Sequence, residues 1–130
     1  MAFNDPIAEL LTKIRNAKDA QHRYVDLSFS KIKVKILEML KSHGFIENFL
    51  VNEKDFKIRV FLRYTKGRES VIQNLKREST SGLRQYIGYR EIPRVFNGMG
   101  LAILSTPQGI LDGETARNLK VGGELVCTVW

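Results

Sequence analysis

The sequence holds one cysteine in 130 residues, so no disulfide forms within the chain. Cys127 lies in Leu125-Val126-Cys127-Thr128-Val129, a run that reads as a strand with a buried, reduced thiol, and this fits a cytosolic location. The two histidines, His22 and His43, have no Cys or Asp/Glu cluster at metal-ligand spacing, so no metal and no cofactor is assigned. No apolar run approaches the roughly 20 residues of a bilayer span. The start lacks the basic-then-apolar pattern of a secretory signal, and no membrane is expected as a partner. No glycine-rich loop ends in Gly-Lys-Ser or Gly-Lys-Thr, and Gly98 with Gly100 is half of a dinucleotide fingerprint without its third glycine or its helix. Ser105 lacks the preceding glycine of a nucleophile elbow, and Cys127 has no histidine nearby in sequence to activate it. No catalytic residue is assigned, and a non-enzyme is expected.

Acidic residues are also scarce: 14 against 21 lysines and arginines, for a net charge of +7. A surplus of this sign suits a polyanionic partner; a basic protein that is merely soluble is the other reading. With 43% hydrophobic residues the chain is apolar enough to build a core, and its length fits one compact unit or two small ones.

Asp5 caps a helix that Pro6 opens, and Ile7, Leu10, Leu11, Ile14 and Ala17 recur at helical spacing. Lys13, Arg15 and Asn16 fall off that stripe, within reach of phosphates or simply solvated. Tyr24 to Phe29 reads as a short strand. Ser30 caps a second helix running to about His43, with Gly44 as its stop. Its buried stripe is Ile32, Ile36, Leu37 and Leu40, and Lys31, Lys33, Lys35 and Lys41 form much of its wet face. Ile32, Val34 and Ile36 also alternate as a strand would, but Leu37, Met39, Leu40 and the stop signal favour helix. Lys31 stands in the first turn, where a cation opposes the helix dipole and gains when an anion docks. Phe45 to Val51 and Phe56 to Tyr64 form an antiparallel pair across the polar turn 52–55. Phe56, Ile58, Val60, Leu62 and Tyr64 take one face and pack on the helices. Lys57, Arg59, Phe61 and Arg63 take the other, a face suited to RNA by charge and stacking or simply solvated.

Thr65-Lys66-Gly67-Arg68-Glu69 is the expected boundary, dividing the chain into an α/β subdomain at 1–66 and a β-rich subdomain at 67–130. Ser70 to Leu75 and Leu83 to Tyr89 read as strands, with Lys76 to Gly82 a polar loop between them. Arg84 and Tyr86 share a side by alternation, a stacking and phosphate pair if exposed and mere core if Tyr86 is buried. Glu91 to Phe96 forms a short helical turn limited by Pro93. Asp112 caps a short helix containing Glu114, Ala116, Arg117 and Leu119. Gly122 and Gly123 allow close backbone approach before a last strand at Glu124 to Trp130. Glu124 reads as a surface or ion-paired carboxylate, or as an acceptor for a donor on the hairpin tip or on a base. The overall expectation is an α+β fold: two helices on a short antiparallel sheet, then a mostly β part with short helices.

One stretch organises the second half. Leu101 to Leu104 is a short apolar run suited to burial on both faces. It leads through Ser105 into the turn Thr106-Pro107-Gln108-Gly109, where Pro107 sets φ and Gly109 suits the last position. Small hydroxyls on a rigid tip lie flat against a base edge or a ribose; their other reading is turn stabilisation.

These pieces together resemble the bacterial small-subunit ribosomal protein S-eight family. The matching motifs are Gly98-Met99-Gly100, Ser105-Thr106-Pro107-Gln108-Gly109, Glu114 to Arg117, and Val121-Gly122-Gly123-Glu124. The likeness continues through Gly82-Leu83-Arg84-Gln85-Tyr86, Glu91-Ile92-Pro93-Arg94-Val95, Ile14-Arg15-Asn16-Ala17, Ser30-Lys31 and Gly44-Phe45-Ile46, nearly the whole chain. The resemblance implies two α/β subdomains, no catalysis, and binding to the central domain of small-subunit rRNA beside neighbouring ribosomal proteins. It also implies, for some members, feedback on their own operon mRNA. Carried over by motif, the RNA-binding candidates are Ser105, Thr106, Gly109, Tyr86 and Glu124, with Pro107 and Arg84 beside them. Lys31 and Asn16 are candidates for backbone contacts. Three departures stand out: Pro107 for the usual serine, Thr80-Ser81 for Arg-Pro, and Ser28-Phe29 for Pro-Tyr. A free regulatory RNA-binder and a basic protein-interaction adaptor are the rival readings.

Overall fold

The structure is a computed structural model that describes residues 6–80 and 82–130. The expected cap at Asp5 and the Ser81 departure lie outside the described residues. The fold is α+β, as the patterning predicts, and divides after Gln73 into two compact units.

In the first unit, α1 (Pro6–Asp19) buries Ile7, Leu10, Leu11, Ile14 and Ala17, the stripe its spacing predicts. Helix α2 (Lys31–Ser42) starts at Ser30, whose hydroxyl accepts from the Lys33 N–H at 3.2 Å. Strands β1 (Tyr24–Ser28), β2 (Ile46–Asn52) and β3 (Lys57–Leu62) form an antiparallel sheet in the order β1-β3-β2. Leu27, Ile58, Val60 and Leu62 are buried on the face where the helices pack.

Two expectations fail here. Lys33 belongs to the core, 1% exposed, and not to the wet face of α2. Its Nζ donates to Ser28 O at 2.9 Å and Ser28 Oγ at 2.7 Å, and lies 3.0 Å from Glu9 Oε1. Three oxygens replace the water that a buried ammonium loses. Ile32 is correspondingly only half-buried. Phe56 is 69% exposed, because it closes the turn before β3 at φ +52 and drops out of the strand alternation. The Ser28 departure acts in the same place. Its N–H donates to Glu9 Oε1 at 3.2 Å, a bond that proline has no hydrogen to make.

In the second unit, β4 (Leu75–Arg77), β5 (Tyr86–Ile87), β6 (Leu101–Thr106), β7 (Gly109–Asp112) and β8 (Gly123–Val129) form a five-stranded sheet. β8 pairs with β6 along one side and with both β4 and β5 on the other. Residues 101–104 are buried throughout, as the apolar run predicts. α3 (Gly113–Asn118) follows β7 with Asp112 at the N-cap position, although the Asp112 side chain makes no capping bond. Ala102, Leu104 and Leu125 pack with Ile92 and Ala116 in one core.

The predicted strand at Ser70 to Leu75 is absent. Ser70 makes one bridge to Tyr64, and the strand starts five residues later, at 75–77, because the edge of β8 supplies its partners there. The strand predicted at Leu83 to Tyr89 shrinks to Tyr86–Ile87, opposite Glu124 and Gly123. In place of one helical turn at Glu91 to Phe96 there are two, Tyr89–Glu91 and Val95–Gly98, on either side of Pro93.

Candidate nucleic-acid interface

Where β8 begins, three strands meet. Tyr86 of β5 and Ser105 of β6 both stand in register with Glu124. The preceding Gly122-Gly123 allows that convergence. A Cβ on Gly122 would overlap Ile87 O and come within 2.9 Å of Gly88 Cα. A Cβ on Gly123 would overlap Ser105 O and come within 3.0 Å of Ser105 C. Two glycines therefore leave bare backbone as the floor of a groove of about 510 Å³. Tyr86, Ile87 and Gly88 line one side, and Ser105, Thr106 and Pro107 the other, with Glu124 completing the set.

The hairpin tip forms as its residues predict. Thr106 pairs with Gly109 across Pro107-Gln108, and Gly109 has φ +111, a conformation suited to glycine. The two hydroxyls behave differently. Thr106 Oγ1 donates to Gly109 O at 2.8 Å and accepts from the Gln108 N–H at 3.1 Å, so it closes the turn from inside. The Ser105 hydroxyl has no partner among the described residues, and Ser105 lines the groove, so a donor and acceptors remain to offer there. Tyr86 is 71% exposed, so its ring is available for stacking rather than spent in the core. Pro107, which lines the groove, is exposed, and so is Gly109, which is not among the groove residues.

Glu124 is committed to the protein. Its Oε2 accepts from Ser79 Oγ and from Arg84 Nη1 at 2.9 Å. The Ser79 hydroxyl, with the Arg84 guanidinium behind it, outweighs partial burial and holds the Glu124 carboxyl below its usual range. The donors are thus Ser79 and Arg84, not the hairpin tip. Arg84 is one half of this ion pair, and its side chain remains half exposed. Ser79 was missed from sequence. It lies 45 residues from Glu124 in a loop of small polar residues, and no local pattern marks it. It is fully buried and also accepts from the Gln85 N–H at 3.1 Å, fixing the segment that leads into Tyr86. Lys31 and Asn16 are exposed positions on α2 and α1 of the first unit and are not among the groove residues.

The groove thus offers a flat backbone floor, one hydroxyl without a partner among the described residues, one exposed ring, a stiff rim and an ion pair. That set suits splayed bases and riboses. The model of the family described as Ribosomal protein S8 matches residues 5–130. The chain is 51% identical over 133 aligned positions to the "Small ribosomal subunit protein uS8" of Protochlamydia amoebophila, covering the full length of both. It is 53% identical to the protein of that name from Chlamydia trachomatis serovar D, over 98% of this chain and 97% of the relative. It is 48% identical to the one from Anaeromyxobacter sp. strain K, again over both full lengths. A family match over almost the whole sequence and relatives at about half identity lead to one statement: this chain belongs to the ribosomal protein S8 family.

Proposed function

We propose that this protein is a structural, non-catalytic constituent of the small ribosomal subunit that binds the central domain of small-subunit rRNA through the groove of its second unit. Family membership supports the ribosomal role. The observation that carries the RNA-binding reading is the bare Gly122-Gly123 floor between Ser105, whose hydroxyl has no partner among the described residues, and the exposed Tyr86 ring. Arginines and lysines elsewhere on a chain of net charge +7 supply sequence-independent affinity, and the groove supplies recognition of an irregular core. Its setting is then the ribosome in the cytoplasm, beside other small-subunit proteins. A groove that reads such a core reads it wherever it occurs, so an operon mRNA presenting the same core is a second target for feedback repression.

The test is binding to a central-domain rRNA fragment across a salt series, with a scrambled-core hairpin as competitor. Preference for the native core should persist as salt rises. Ser105→Ala or Tyr86→Ala should cost roughly 1–3 kcal/mol for the native core and leave scrambled-hairpin binding unchanged. Equal loss on both RNAs, or no preference in the wild type, would sink the reading. The same titration with the operon mRNA measures whether feedback is within reach.

A further inference from the structure

The first unit carries a sheet face whose central side chains stay open to solvent, with Tyr24 42% and Leu50 57% exposed, while its Ser28 end is bonded to Glu9 of α1 and Lys33 of α2. The register across β1, β3 and β2 sets Tyr24, Phe61 and Asn48 in one row, Asp26, Arg59 and Leu50 in the next, and Ser28, Lys57 and Asn52 in the third. Arg59 is at the centre. Its guanidinium lies 4.1 Å over the centroid of the Tyr24 ring. Its Nε and Nη2 donate to the two Asp26 carboxylate oxygens at 2.8 and 3.1 Å. The Tyr24 and Phe61 rings pack 6.1 Å apart at 55°. The Arg59 side chain nevertheless remains 46% exposed.

This geometry decides what the face can receive. Asp26 occupies one edge of the guanidinium and Tyr24 one of its planar faces. What remains for a partner is the second planar face, held in place before anything binds, together with the N–H donors of Nη1 and the second N–H of Nη2. An acidic peptide could use only those remaining donors and would meet the Asp26 carboxylate beside them, a like charge. A nucleobase needs only the flat face, since guanidinium planes and aromatic rings both stack unpaired bases. Lys57, exposed in the adjacent row, carries a charge for a phosphate, and Leu50, also exposed, adds an apolar shoulder beside Arg59. We infer that the open face of the β1-β3-β2 sheet is a stacking platform for an unpaired base of single-stranded RNA, with Arg59 as the stacking surface and Lys57 as the phosphate contact. It is a second RNA surface, separate from the groove.

The test uses the full-length protein and a short unstructured RNA carrying one 2-aminopurine, whose fluorescence falls when the base stacks. Wild type should bind and quench it. Asp26→Asn adds a unit of positive charge but unlatches Arg59, so it should weaken binding several-fold. Arg59→Lys keeps the charge but removes the plane, so it should abolish the quench. Circular dichroism checks that these exposed-face variants keep the wild-type fold. Thr12→Ala, at an exposed position of α1 outside both surfaces, should retain both binding and quench, and Tyr86→Ala, which leaves this face intact, reports on the groove. Tighter binding by Asp26→Asn, or a wild-type quench with Arg59→Lys, would reduce the face to an electrostatic patch and overturn the platform. Loss of the quench in Tyr86→Ala alone would place the RNA in the groove, and an acidic peptide that binds this face where RNA does not would make the partner a protein; both would equally overturn it.

Discussion

Glu124 shows how one side chain serves the groove without entering it. Its carboxylate is held by Ser79 and Arg84, and Ser79 in turn fixes the backbone of Gln85, next to Tyr86. The hydrogen bond from Ser79 is the largest influence on its titration, and the net effect holds the carboxyl below its ordinary value of 4.5. A carboxylate with a depressed folded-state pKa contributes stability that is present above the unfolded-state value and disappears as pH falls through the folded-state value. Glu124→Gln keeps an acceptor but loses the charge, so at pH 7 it should cost about 1–2 kcal/mol. The gap from wild type should be flat through neutral pH and close progressively below the ordinary 4.5. Urea unfolding of both proteins at a series of pH values measures this. A gap that persists unchanged to strongly acid pH would mean that packing, not charge, holds the residue.

At the scale of elements, Lys33 separates what was legible in the sequence from what was not. Positions 33, 36, 37 and 40 are spaced as one helical stripe, and the structure buries all four. The stripe read from residue type, Ile32, Ile36, Leu37 and Leu40, holds at three positions and fails at Ile32, because lysine is almost never buried unless paired, and the pair of Lys33 comes from α1 and β1. The same contrast holds at the groove. Gly122-Gly123 and the Pro107 turn were readable, because tight approach and turn geometry are local demands. Which hydroxyl would be free was not readable: Ser105 and Thr106 are adjacent and chemically alike, and only the fold turns Thr106 inward onto Gly109. Ser79 and the late start of β4 were hidden because their partners lie on β8, far along the chain. The buried lysine sets a prediction for α2. Lys33→Met keeps the length of the stem but strands Ser28 O and the Glu9 carboxylate. Removing one partner of a buried pair costs about 3–5 kcal/mol. Because the Glu9 side chain is 32% exposed and regains water, the loss should fall near or below the lower end. Glu9→Gln, which keeps an acceptor for Lys33, should cost less than Lys33→Met. Chemical denaturation of the two variants ranks them, and the reverse order would show that the carboxylate charge, not the satisfied ammonium, anchors the helix.

The whole molecule adds a balance that no single contact reveals. Its net charge of +7 sets repulsion within the fold against local ion pairs such as Arg59–Asp26, Lys33–Glu9 and Arg84–Glu124. Salt weakens both, but unequally. Exposed pairs are each worth about 0–1 kcal/mol, and the Lys33 pair is shielded from ions by burial. The surplus positive charge is spread over the surface, where screening acts fully. Added salt should therefore stabilise the free protein. Screening worth about 1 kcal/mol raises the unfolding midpoint by about 2–6 °C for a chain of this size. RNA binding should move the other way. Each phosphate contact multiplies the loss of affinity by about threefold for a fourfold rise in salt, through counterion release. Thermal unfolding and RNA titration in one KCl series compare the two trends directly. Opposite slopes would identify the positive surplus as a cost that the free protein carries and that bound RNA relieves. A midpoint that falls with salt would show instead that the ion pairs outweigh the repulsion.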